Sequence, residues 1–173
     1  MNEVEEDRAP WRTMAGALLA ACALSQPALA GDLAGPEFGG GSAMLATISQ
    51  IGERNVASVD QYGQGQRAHL AQEGLDNRLE VRQSGGHGNA VNAWQQGSGN
   101  TALLSQSGHG HELMLDQRGD ANHAYVSQHG VGRVAHIEQF GSGNRVDLVQ
   151  GASSPALFLR QSGNNNVATL IQH

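Results

Sequence analysis

The chain has 173 residues, with 24 glycines, 4% aromatic residues and a formal net charge of −6. With so few large aromatics it must bury apolar surface by some device other than an ordinary globular core. It has no lysine and so no basic stripe to displace counterions from phosphates, which argues against a nucleic-acid binder. Its single cysteine, Cys22, excludes an internal disulfide.

The first predicted element is a secretory signal peptide over residues 1–30. Arg8 and Arg12 precede an apolar run, MAGALLAACAL at 14–24. That run is shorter than the ~20 residues a membrane-spanning helix needs. Ala28-Leu29-Ala30 follows as a small-x-small cleavage site, placing the cut after Ala30. Glu3, Glu5, Glu6 and Asp7 suit a signal n-region poorly, so a start downstream of Met1 stays open. Leu19-Ala20-Ala21-Cys22 also has the look of a lipobox, which would make Cys22 a lipidated N-terminus. No later apolar run is long enough to hold the mature chain in a membrane. Residues 31–43 form a glycine-rich leader without repeat character.

From residue 44 to 173 the chain repeats. Glutamine recurs at Gln50, Gln61, Gln72, Gln83, Gln95, Gln106, Gln117, Gln128, Gln139, Gln150, Gln161 and Gln172. Every step is 11 residues except Gln83 to Gln95, where Gly85-Gly86-His87-Gly88 takes up one insertion. The positions four and two before each glutamine, from Ala46/Ile48 to Ala168/Leu170, are apolar in all twelve units. The residues between them are mixed, as in Thr47, Ser58, His69 and Asp147. Period-2 alternation predicts a strand with one buried face, carrying two apolar residues and a glutamine inward.

Tight turns separate the strands and alternate in kind, so the structural period is 22 residues. One set closes on asparagine, at Asn55, Asn77, Asn100, Asn122, Asn144 and Asn166. The other closes on Gln66, Asn89, His111, Arg133 and Pro155. Glycine and asparagine suit such short reversals because they accept positive φ.

These elements predict an all-β fold: a parallel two-sheet β-solenoid of about six 22-residue strand-turn-strand rungs. Rungs about 4.8 Å apart would span roughly 29 Å. A buried amide costs several kcal/mol if unpaired. Stacked in register, the glutamines and the turn asparagines can satisfy one another as ladders. A one-residue slip would break every amide pair and turn the apolar face outward. Neither terminal rung has a recognisable capping segment, so the coil reads as a unit that stacks on its own copies.

The pattern Gln-x-Gly-x-x-Asn-x-Ala-x-x-x-Gln, as in Gln50 to Gln61, resembles the curlin repeat. It recurs at 95–106, 117–128 and 161–172; at 72–83 and 139–150 the alanine is replaced by Leu79 and Val146. The resemblance covers residues 44–173. It implies a structural subunit of curli, the adhesive extracellular amyloid fibres of Gram-negative biofilms. It further implies a secreted, cell-surface location and export through an outer-membrane secretion machinery that reads the 31–43 leader. The implied partners are further copies of the chain and a partner curlin subunit, with no nucleic acid required. The residues do not decide between a fibre-building and a nucleating subunit.

No Ser/His/Asp or paired-carboxylate constellation stands out, and no loop is long enough to build a cleft, so no enzyme and no cofactor is expected. The alternative is a monomeric secreted solenoid that acts as an adhesin or surface binder. His87, His109, His111 and His129 fall in the second set of turns and line one edge. Metal binding or pH sensing there is conceivable, but no supporting ligand motif accompanies them.

Overall fold

The computed structural model describes residues 43–173. The proposed signal peptide with Cys22 and Ala30, and all but the last residue of the 31–43 leader, lie outside the described residues.

Twelve strands follow one another: β1 (Leu45–Glu53), β2 (Val56–Gln61), β3 (Arg67–Leu75), β4 (Arg78–Ser84), β5 (Ala90–Ser98), β6 (Thr101–His109), β7 (Glu112–Asp120), β8 (His123–Val131), β9 (Val134–Ser142), β10 (Arg145–Gln150), β11 (Leu157–Ser162) and β12 (Val167–Gln172). The odd-numbered strands form one six-stranded sheet in the order β1-β3-β5-β7-β9-β11. The even-numbered strands form the other, β12-β10-β8-β6-β4-β2. All pairings are parallel. The chain is therefore a β-solenoid of six rungs, each made of two strands and a turn, as the 22-residue period requires.

Register is set residue for residue. Gln50 pairs with Gln72, Gln72 with Gln95, and Gln95 with Gln117. The extra residue of the 83–95 step stays out of the strands. It is taken up between the end of β4 at Ser84 and the start of β5 at Ala90, where Gly85, Gly86 and Gly88 all have positive φ. β1, β3 and β5 to β9 run for nine residues, longer than the spacing of apolar positions alone suggests. Their extra length is the Gln-x-Gly arc, which keeps pairing with the neighbouring rung as the chain turns.

The core lies between the two sheets. Nineteen apolar side chains are buried in one cluster, with Ala46, Leu157, Leu159, Ala168 and Leu170 packed partly buried against it. Together these are the 24 alternating positions read from the sequence. A fully buried leucine such as Leu70, Leu79 or Leu113 contributes about 1.5–3 kcal/mol of transfer free energy. The repetition of modest side chains thus replaces the missing aromatics.

Candidate functional site

The chemistry of this molecule is carried by columns of stacked side chains rather than by a cleft. Two glutamine columns run the length of the coil, one behind each sheet. In the first, the Nε2 of Gln50 donates to Oε1 of Gln72 at 2.6 Å, and the chain of bonds passes through Gln95, Gln117 and Gln139 to Gln161 at 2.7–2.8 Å. In the second, Gln61, Gln83, Gln106, Gln128, Gln150 and Gln172 are joined at 2.8–3.0 Å. From Gln61 to Gln161 the amide nitrogen also donates to a backbone carbonyl: Gln61 to that of Leu45, Gln72 to Val56, and Gln106 to Ala90. Each of these ten glutamines thereby satisfies a strand-opening carbonyl on the opposite sheet. This matters because an unmet polar group in the interior is expensive.

A third column fills the turns inside the rungs. Asn77 donates from Nδ2 to Oδ1 of Asn55 at 3.1 Å, and the same bond recurs through Asn100, Asn122, Asn144 and Asn166 at 2.9–3.1 Å. The backbone N–H of each upper asparagine shares that acceptor. From Asn55 to Asn144 each Nδ2 also donates forward to a glycine carbonyl, as from Asn77 to Gly97 at 2.9 Å. The two kinds of column run in opposite senses. Glutamines donate toward the C-terminal end, and asparagines donate to one another toward the N-terminal end.

The turns between rungs hold a fourth column whose chemistry changes at every step. The N–H of Asn89 donates to Oε1 of Gln66, the N–H of His111 to Oδ1 of Asn89, and the N–H of Arg133 to Nδ1 of His111. The Arg133 guanidinium then reaches the carbonyl of Ser154. Ser154, rather than Pro155, closes the last of these turns. Its hydroxyl donates within hydrogen-bond reach of both the Gly151 and Gln172 carbonyls, and it is buried while Pro155 is exposed. Spacing does not single out Ser154, because this turn has lost the glycine that marks the others.

Of the four histidines on this edge, His87, His109 and His129 are exposed and His111 is buried. His87 and His109 meet edge to face at 4.9 Å. Among the described residues no group of three potential ligands gathers to hold a metal. The outward carboxylates are paired within the chain: Asp60 with Arg82 at 3.6 Å, Asp116 with Arg118 at 2.7 Å, and Asp147 with Arg145 at 2.8 Å. Trp94, Tyr125 and Phe158 are exposed on the sheet faces, and Phe140 lies between the guanidiniums of Arg118 and Arg160. Among the described residues no helix is long and apolar enough to cross a membrane.

The curlin associated repeat family matches four stretches of the chain, at residues 45–74, 52–85, 86–119 and 112–151. Neither a curated protein nor a solved structure matches it.

Proposed function

Because the chain belongs to the curlin-repeat family, whose members are structural components of extracellular curli, we propose that it is a subunit of an amyloid fibre assembled by end-to-end stacking of rungs. One observation carries this reading. Among the described residues the core is incompletely covered only at the ends of the coil, with Ala46 in the first rung and Leu157, Leu159, Ala168 and Leu170 in the last. Among the described residues, β1 and β2 at one end and β11 and β12 at the other each lack a strand partner on their outer edge. A second copy in the same register supplies what each end lacks.

Continuing the 22-residue register places Gln161 of one copy on Gln50 of the next, Gln172 on Gln61, and Asn166 on Asn55. The opposed senses of the columns make this head-to-tail order self-consistent. The Nε2 groups of Gln161 and Gln172 face the Oε1 groups of Gln50 and Gln61, while Asn55 offers donors to Oδ1 of Asn166. Head-to-head stacking sets acceptor against acceptor. The contact is heterologous and does not close, so it generates a filament rather than a dimer.

On this reading the 1–30 signal peptide and the 31–43 leader direct export through the curli outer-membrane machinery, and the fibre serves adhesion and biofilm matrix. The partners are further copies and a companion curlin that either seeds this chain or is seeded by it. The test is to release the full chain from denaturant and follow thioflavin fluorescence and fibre diffraction. Assembly with a meridional reflection near 4.8 Å is expected. A stable soluble monomer without cross-β reflections would instead favour a monomeric solenoid adhesin. Adding sub-stoichiometric seeds of this chain to a companion curlin separates nucleating from fibre-building roles.

A further inference from the structure

His111 is the one ionisable side chain that acts as an acceptor inside a column, and its surroundings leave room for a single proton. Elsewhere in the columns an amide does three things at once. Asn77, for example, donates to the carbonyl four residues back (Glu73) and to a glycine carbonyl of the next rung (Gly97), and accepts the N–H of Asn100. The imidazole of His111 takes the same place, bonding the carbonyl four residues back and accepting the next rung's N–H. Its Nε2 lies 3.1 Å from the carbonyl of Ser107, four residues back, and the backbone of Gly130 in the next rung also favours a proton on the ring. Its Nδ1 accepts the N–H of Arg133 at 3.0 Å. The Ser107 carbonyl demands a proton on Nε2, and the Arg133 N–H demands a lone pair on Nδ1. Only the neutral Nε2–H tautomer meets both.

We propose that His111 is a proton-sensitive joint between the third and fourth rungs of the coil. A second proton on the ring removes the only acceptor for the Arg133 N–H and points one N–H at another. It also places a positive charge in a turn where the ring is 1% exposed. The surrounding groups do not compensate. The charged groups that act on the ring are Arg133 and His129 of the following turn, both of which oppose a further positive charge, while Glu112, the next residue in the chain, is exposed.

Burial is the largest influence on the ring and pulls its proton affinity below the ordinary histidine range, with Arg133 and His129 acting in the same direction. The unfolded chain therefore takes up the proton first as pH falls. The contribution of His111 to stability is complete above the ordinary histidine pKa and is lost as pH drops from there through the lower folded value. The effect is local, because the asparagine turns on the opposite edge contain no such group. It is a property of the coil and holds whether or not copies stack.

Amide hydrogen exchange on the full chain tests this, with rates corrected for intrinsic exchange at pH 8 and pH 5. Peptides covering 106–113 and 128–135 should lose protection severalfold at the lower pH. Those covering 96–101 and 118–123 should not. His111→Asn, which places at 111 the residue found at 89, should hold protection at both pH values; His111→Gln, matching residue 66, is the second variant should the first fail to fold. The triple variant His87→Asn/His109→Asn/His129→Asn should keep the pH response. Nitrogen-15 NMR of the wild-type ring at pH 8 should report an unprotonated Nδ1 and a protonated Nε2. A protonated Nδ1 at pH 8, a pH response that survives in His111→Asn and His111→Gln, or one abolished by the triple variant would each overturn the proposal.

Discussion

A Cβ placed on Gly97 would fall deep inside the contact shell of the Gly119 carbonyl oxygen, one rung away. The same collision recurs at Gly52 with Gly74, at Gly74 with Gly97, at Gly119 with Gly141, and at Gly141 with Gly163. These glycines hold φ near +110° and let the Gln-x-Gly arcs of successive rungs come close enough to pair. The carbonyls of Gly74, Gly97, Gly119, Gly141 and Gly163 accept the asparagine amides, so the close approach and the asparagine column depend on each other.

Gly97→Ala should therefore destabilise the coil by more than about 3 kcal/mol, because backbone rather than a flexible side chain meets the new atom. Gly99→Ala, two residues on, has positive φ but open space around it. It should lose only about 1–2 kcal/mol from left-handed strain. Guanidinium unfolding followed by circular dichroism compares the two, and equal losses would remove the steric role of Gly97.

Ala121 sits at φ 53° in a turn position held in the other rungs by Arg54, Asp76, Gly99, Gly143 and Asn165. Replacing it with glycine should raise stability by about 1 kcal/mol, since the left-handed conformation penalises a Cβ by that order. Asparagine at 121 should give part of the gain. A fall in the denaturation midpoint for Ala121→Gly would mean that unfolded-state entropy outweighs the strain.

Gln106 is fully buried, receives a bond from Gln83, and donates to Gln128 and to the Ala90 carbonyl. Gln106→Leu keeps most of the volume but strands these partners, at about 1–3 kcal/mol for each group left unmet. Gln106→Glu adds a sign that can be checked. Only the protonated acid can donate toward Gln128, so its folded pKa should rise above the unfolded one. Stability should then be retained at low pH and lost as pH rises through the folded value. A glutamate variant equally stable at pH 4 and pH 8 would contradict the donor role.

Gly163 is the glycine of the last arc, and only Asn166 Nδ2 lies within 4 Å of its hypothetical Cβ, at 3.6 Å. By repeat equivalence, a stacked copy would bring the Gly52 carbonyl into that space. Gly163→Ala should thus leave the N-terminal face of the subunit competent and block its C-terminal face. Mixed at a few per cent into wild-type chain, it should cap growing ends and shorten fibres, as read by electron microscopy and thioflavin kinetics. Unaltered fibre length in the mixture would argue against the head-to-tail register.

What the sequence determined by itself is the coil. Alternation of apolar residues before each glutamine can be met only by a strand with one buried face. An 11-residue spacing held over twelve units leaves stacking as the way to bury those faces and pair the edges. The asparagines and glutamines were legible as columns for the same reason, because a strict period maps sequence position directly onto axial position. Tertiary structure decided whatever depends on which atom points where. Spacing does not tell that glutamine and asparagine columns donate in opposite senses, that Asp60, Asp116 and Asp147 have arginine partners, or that Ser154 replaces Pro155 in the last turn. Nor does it tell that one of four similar-looking histidines is sealed between an N–H and a carbonyl. Those outcomes follow from side-chain direction and burial within a rung, and a repeat read along one dimension does not contain them.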